Sequence, residues 1–182
     1  MILKDKNILL AVTGSIAIYK SLELIRLFIK AGANVKVILS DGAKKFINPI
    51  TFEAISQNRV LDESSESWDK SQNYNHIDIT KWADILLIAP ATANTINKIS
   101  CGIADNLLLQ TVLACKKKII IAPAANTNMI ENPITIQSVN NLKNLGFEVL
   151  QTQTKELACK DVGNGAMAEP IDIFHKPCRE LL

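Results

Sequence analysis

The stretch from Asp84 to Asn97 constrains this chain most. Asp84-Ile85-Leu86-Leu87-Ile88-Ala89 is almost wholly apolar between Trp82 and Pro90. A strand with one wet face would alternate, so this run fits a parallel strand buried on both faces. Pro90-Ala91-Thr92-Ala93-Asn94-Thr95 follows with no side chain larger than asparagine, and Ile96-Asn97 opens a helical pattern that continues toward Leu113. A buried strand, a small-residue loop and a helix start make a place for an anionic or planar ligand. Small side chains let backbone N–H groups come close, and the helix N-terminus favours negative charge. The same residues also read as an ordinary strand-to-helix turn with Thr92 as N-cap.

Comparable units recur along the chain. Asn7 to Val12 reads as a buried strand and Thr13-Gly14-Ser15 as a turn. Ile16, Tyr19, Leu22, Leu24, Ile25, Phe28 and Ile29 then recur at helical spacing up to Gly32. Asn34 to Leu39 is a second strand ending at Ser40-Asp41-Gly42, followed by a short helical segment and another from Pro49 to Ile55. Arg59 to Asp62 fits a short edge strand. Glu63 to Asn75 is polar and Ser-rich, with Trp68 and Tyr74 its only large apolar groups, and reads as a surface excursion serving as a lid or a subunit contact. His76 to Trp82 is a short helix, Lys118 to Ala122 a strand turning at Pro123, Pro133 to Leu145 a helix and Phe147 to Leu150 the last strand. Lys155 to Ala168 reads as a loop, and Pro170 begins a short tail.

This alternation predicts a three-layer α/β/α architecture, a doubly wound, Rossmann-like parallel sheet of about six strands in the order 3-2-1-4-5-6. The first strand and the Asp84 strand are then neighbours across the switch point, and their loops face one crevice, where ligands bind in this architecture.

The chain has 182 residues, 48% hydrophobic and 21% charged, with net charge +2. One α/β domain over 1–182 is expected, with no charge field calling for nucleic acid or a membrane surface. No apolar run approaches the roughly 18 residues that a spanning helix needs. Met1 to Lys6 leads straight into a strand without a signal-peptide layout, so a cytoplasmic location is expected. Cys101, Cys115, Cys159 and Cys178 form no CxxC pair and there are two histidines, which suits neither a zinc site nor a disulfide scaffold, and no metal is expected. The first turn has the single Gly14 rather than GxGxxG, with no Walker lysine. That favours a mononucleotide with one phosphate over a dinucleotide. Ser15, Ser40 and Thr92 would supply hydroxyls from three successive loop ends, or serve as turn and cap residues.

Several motifs occur together and in order: Gly14-Ser15-Ile16-Ala17 with Tyr19-Lys20, Asn75-His76-Ile77, Pro90 to Thr95, Pro123-Ala124-Ala125-Asn126 with Met129, and Leu157-Ala158-Cys159 with Gly163, Gly165 and Met167-Ala168-Glu169. From about Lys6 to Pro170 the chain resembles the homo-oligomeric flavin-containing cysteine decarboxylases, the phosphopantothenoylcysteine decarboxylases among them. The resemblance implies FMN and the conversion of 4′-phosphopantothenoylcysteine to 4′-phosphopantetheine in coenzyme A biosynthesis. It implies FMN contacts from Gly14, Ser15, Ile16, Ser40, Thr92, Ala93, Asn94, Thr95 and Ala124. Asn126 would hold the substrate carboxylate, Met129 and Ala158 would line its site, and His76 and Cys159 would be catalytic beside Asn126. It further implies a homo-oligomer, a trimer or a dodecamer built of trimers, with active sites at subunit interfaces and His76 reaching a flavin held by a neighbour. Bacterial members are often fused to the synthetase that makes the substrate. This chain ends at Leu182, so that activity is expected to be absent, separate or cut off.

The chemistry suits these residue types. A simple amino acid carboxylate does not leave, because the α-carbanion has nowhere to delocalise. Oxidation of the cysteine thiol to a thioaldehyde, with FMN as acceptor, gives a C=S group that takes the electrons released with CO₂. The resulting enethiolate is then reduced again. A histidine titrates near working pH and suits a base. A thiol on a Gly-containing loop suits the last proton transfer, and the neutral asparagine amide orients a carboxylate without over-stabilising it.

The chain departs from the family at Ala125, where methionine usually precedes the key asparagine, at Lys160 in place of glycine, and at Ala166 in place of an arginine common in bacterial members. Competing readings are a peptidyl-cysteine decarboxylase, a flavin prenyltransferase of similar fold, and a non-catalytic flavin-binding regulatory subunit.

Overall fold

A computed structural model describes residues 1–69, 71, 74–156 and 162–182. The apolar runs form five parallel strands, β1 (Asn7–Val12), β2 (Asn34–Leu39), β3 (Ile85–Ala91), β4 (Ile119–Pro123) and β5 (Glu148–Val149), in the order β2-β1-β3-β4-β5. The expected third strand is reduced to one parallel bridge, Ile38 to Leu61, beside β2. Leu61 N donates to the Val37 carbonyl and Leu39 N to that of Leu61, both at 2.9 Å. Counting this segment recovers the expected order. Counting ladders gives five strands, because Arg59, Asp62 and Asn58 turn to side-chain partners instead.

The near-continuous apolar runs are explained by the two faces they serve. On β3, Ile85, Leu87 and Ala89 enter one core with Leu24, Phe28, Phe52 and Phe174. Leu86, Ile88 and Ala91 enter the other with Ile79, Ile96, Leu107 and Val112. The first face is covered by α1 (Tyr19–Lys30), which continues a 3₁₀ turn at Ile16–Ile18, and by α3 (Pro49–Ser56). The second is covered by α4 (His76–Trp82), α5 (Ala93–Ser100) and α6 (Leu107–Ala114). Each buried Leu, Ile or Phe contributes about 1.5–3 kcal/mol, so this two-sided burial fixes the strand register. Short helices α2 (Asp41–Lys44) and α7 (Thr127–Ile130) follow β2 and β4, and α8 (Pro133–Asn144) leads to β5.

Three expectations are corrected. The helical pattern after Thr92 is two helices, because α5 ends at Cys101 and Gly102 takes φ +69°. The stretch expected as a loop holds an antiparallel pair, β6 (Gln153–Glu156) with β7 (Val162–Ala166). The expected tail is a helix, α9 (Pro170–Leu181), which buries Ile173, Phe174, Pro177 and Cys178. Among the described residues, no helix is long and apolar enough to cross a membrane.

Candidate functional site at the sheet switch point

The loops after β1 and β3 meet where the winding reverses. Thr13 ties them together: its hydroxyl donates to the Pro90 carbonyl at 2.7 Å and accepts from Thr92 N–H at 3.0 Å. Gly14 brings the loop after β1 against the loop after β2. A Cβ at Gly14 would lie 2.7 Å from the carbonyl carbon of Gly42. Any larger residue would push the two main chains apart.

The three predicted hydroxyls all act as N-caps. Ser15 accepts from Ala17 N–H, Ser40 from Ala43 N–H and Thr92 from Thr95 N–H, each at 3.2 Å. The side chains thus cap helices, as one of the two sequence readings has it, and those helix starts follow β1, β2 and β3 at one edge of the sheet.

The residues expected to hold a cofactor divide between two adjoining cavities. The first, of about 420 Å³, is lined by Thr13, Gly14, Ser40, Thr92, Asn94 and Thr95, with Met129 at its rim. The second, of about 720 Å³, is lined by Ser15, Ile16, Ala124, Ala125 and Asn126, together with Gly165, Met167 and Lys20. Ala93 lines neither and is buried beneath them. Asn126 and Met129 thus face different cavities. Asn126 also caps α7, accepting from Asn128 N–H at 2.9 Å.

The first cavity suits a phosphate-bearing group. Beside Leu39, Leu108 and Met129 its walls carry small residues and hydroxyls, and its two carboxylates are already engaged. Asp41 pairs with Lys44 at 2.8 Å and Glu63 accepts from Leu107 N–H. The second is broader and carries apolar walls from Ile16, Ala124 and Met167, which suits a planar ring system.

The sequence reading missed a charged cluster in the second cavity. Lys20 is buried on α1 and donates to the Met167 carbonyl and to Glu169 Oε1, both at 3.1 Å. Lys155 bonds the same carboxylate oxygen, and with Lys20 it holds the Glu169 carboxyl below its usual range against the opposing effect of burial. The clue lay in α1 itself, where Lys20 and Ser21 sit on the face that buries Leu24, Ile25 and Phe28. A lysine there needs internal partners.

His76 lines neither cavity. It opens α4, its Nδ1 is 2.7 Å from Glu66 Oε1, and Trp68 meets its ring edge-on with centroids 5.5 Å apart. Cys159 and Ala158 lie outside the described residues, as does Lys160. Ala125 N donates to the Gly165 carbonyl at 3.1 Å, so the residue replacing methionine is tied to β7 through its main chain.

A doubly wound sheet with small-residue loops, gathered helix starts and a broad apolar recess defines a nucleotide-cofactor protein of the α/β class. The flavoprotein family profile matches residues 2–182, and the chain belongs to that family. It is 42% identical over 173 residues to a probable phosphopantothenoylcysteine decarboxylase of Streptococcus mutans, covering 94% of this chain and 96% of that one. It is 40% identical over 171 residues to the coenzyme A biosynthesis bifunctional protein CoaBC of Bacillus subtilis, covering 94% of this chain and 42% of that protein. The chain thus spans about two-fifths of the length of such bifunctional relatives. Among solved structures, a PPC decarboxylase mutant complexed with pantothenoylaminoethenethiol superposes with TM-score 0.86 at 32% identity, covering 98% of this chain and 99% of that one. The FMN binding protein AtHal3 gives TM-score 0.83 at 34% identity, covering 98% and 97%.

Proposed function

We propose that this chain is an FMN-dependent decarboxylase that converts 4′-phosphopantothenoylcysteine to 4′-phosphopantetheine in coenzyme A biosynthesis. The observation that carries this reading is the gathering of Gly14, Ser40 and Thr92 around one cavity and of Ser15, Ile16 and Ala124 to Asn126 around a second, with the Gly14–Ser15 turn shared between them. Relatives at 32–42% identity are named for this substrate or carry an analogue of it. The reading takes 1–182 as one catalytic domain, cytoplasmic and homo-oligomeric as a trimer or an assembly of trimers, and working with a synthetase that is fused or separate.

FMN supplies the two-electron acceptor that makes the cysteinyl carbon able to release CO₂ and returns those electrons afterwards. Gly14, Ser40 and the Thr92–Thr95 turn would hold its phosphate end through N–H groups and hydroxyls. Ile16 and Ala124 would flank its ring. Asn126 orients the substrate carboxylate with a neutral amide, so the charge about to be expelled is not locked in place. His76 takes the proton that must leave the thiol end, and Cys159 returns one to the product. His76 lines neither cavity of its own chain, which supports its reaching the crevice of an adjoining subunit.

The test is the visible spectrum of the purified protein before and after anaerobic addition of 4′-phosphopantothenoylcysteine, with a cysteine-terminated peptide as control. Oxidised-flavin bands and a product lighter by CO₂ from the small substrate alone are expected. Absence of flavin after reconstitution with FMN, or conversion of the peptide only, overturns the reading.

A further inference from the structure

Glu66 lies in the polar excursion ahead of α4, ten residues before His76. One of its oxygens, Oε1, meets His76 twice: at 2.7 Å from ring Nδ1 and at 3.3 Å from the main-chain N–H. Both side chains are largely buried, with 18% of the His76 side chain and 19% of the Glu66 side chain exposed. The indole of Trp68 stands across the ring at an interplanar angle of 84°. The carboxylate in the first turn of α4, Asp78, bonds Asn75 Nδ2 at 2.6 Å. Glu66 is thus the carboxylate applied to the ring.

A neutral imidazole carries one proton, on either nitrogen, and the partner of one nitrogen decides which. An ionised carboxylate can only accept, so contact at Nδ1 requires the proton there. Nε2 is then left with its lone pair, the form needed to receive a proton. The second contact, to the N–H of the same residue, fixes where the carboxylate sits, and Trp68 packs edge-on against the ring.

We propose that Glu66 is the positioning residue of His76: it holds the imidazole in the Nδ1–H tautomer, so that Nε2 is the proton acceptor for the thiol-bearing substrate. This rests on the role given to His76 above, and its test separates the two. The protein has only two histidines, so ring ¹⁵N–¹H correlation spectra of the FMN-loaded protein are readily assigned by His175→Gln. Neutral His76 is expected to show its proton on Nδ1. In Glu66→Leu the acceptor is gone, and the Nε2–H form appears. That variant is expected to retain FMN and to lose roughly 100-fold in kcat, within the usual contribution of a placed proton-transfer group, with KM changed less than about twofold.

A residue that merely capped α4 would alter melting without moving the ring proton. Nε2–H in the wild-type protein overturns the proposal, and that measurement needs no variant. An unchanged tautomer in Glu66→Leu, or a changed tautomer with kcat intact, overturns it equally. Full conversion by His76→Gln would instead sink the role assigned to the histidine itself.

Discussion

Where Gly14 meets Gly42 and where Gly165 meets Ala125, the crevice is held by main chain against main chain; around Asp62 and Glu66 order comes from charge. Asp62 alone gathers Ser64 N–H and hydroxyl at 3.1 and 2.7 Å, Ser65 N–H at 2.9 Å and Lys44 Nζ at 2.9 Å. Burial works to raise the Asp62 pKa, but the bonds from Ser64, Lys44 and Ser65 outweigh it and leave it below the ordinary value. Tyr74 closes the same segment: its hydroxyl donates to the Arg59 carbonyl, and burial pushes its pKa up to about 12, so it stays a donor. Lys36 lies over Trp82 at 4.6 Å and over Tyr74 at 5.8 Å from the ring centres. The lesson is a division of labour. The glycine turns of the crevice are fixed by steric necessity, and the part that carries His76 is ordered by contacts that respond to pH and salt.

The strongest way to break this contrast is at Gly165. Its φ is +145° and an added Cβ would fall 2.1 Å from the Ala125 carbonyl oxygen. Gly165→Ala is expected to cost about 3 kcal/mol and to empty the protein of FMN, read by denaturant melts and flavin absorbance. Full flavin retention would show that the crevice yields more than its geometry implies.

Asp62→Asn tests the other side. A loss of about 1–2 kcal/mol is expected, with faster amide exchange confined to the segment between Asp62 and His76. The sign with pH follows from the lowered pKa. Unfolded chains bind a proton here more readily than the folded one, so the contribution is complete above the ordinary carboxyl range, near pH 4, and lost on further acidification. Wild type should therefore lose melting temperature between about pH 5 and 3 more steeply than Asp62→Asn. Parallel slopes would refute the charge-based account. The smallest effect is expected at Lys81, which is 73% exposed on its side chain and 3.9 Å from Asp78. Lys81→Gln should shift stability by less than about 0.5 kcal/mol, which calibrates the other two.

The legibility of the chain follows the same division. Strands β1 and β2 and helix α4 run between the residues that the apolar pattern marks, because burial on both faces writes itself into consecutive residues. The pairing of β6 with β7 was not legible, since Val162-Gly163-Asn164-Gly165 carries few side chains to betray a strand and depends on contacts with Ala125 and Thr127 far away in sequence. Helix α9 was obscured by Pro177, although Ile173, Phe174, Pro177 and Cys178 repeat at the spacing of one helical face. Within the site, the Gly14, Ser40 and Thr92 turns were visible as small-residue loops after strands. The burial of Lys20 and the contact of Glu66 with His76 were not, because a charged residue shows its partner only once the fold has chosen it.

One consequence concerns synthesis of the chain. Thr13 bonds Pro90 across 77 positions, and Lys20 finds the Met167 carbonyl across 147. At roughly 5–20 residues per second, the ammonium of Lys20 is made on the order of 10 s before the carbonyl that receives it. Lys20 therefore waits for its partners until residues 167 to 169 have been made, long after the loop that follows β1. A nascent chain halted in β4 has Thr13 and Pro90 but neither Met167 nor Glu169, so the pairing of Lys20 marks a chain that has been read through to the start of α9.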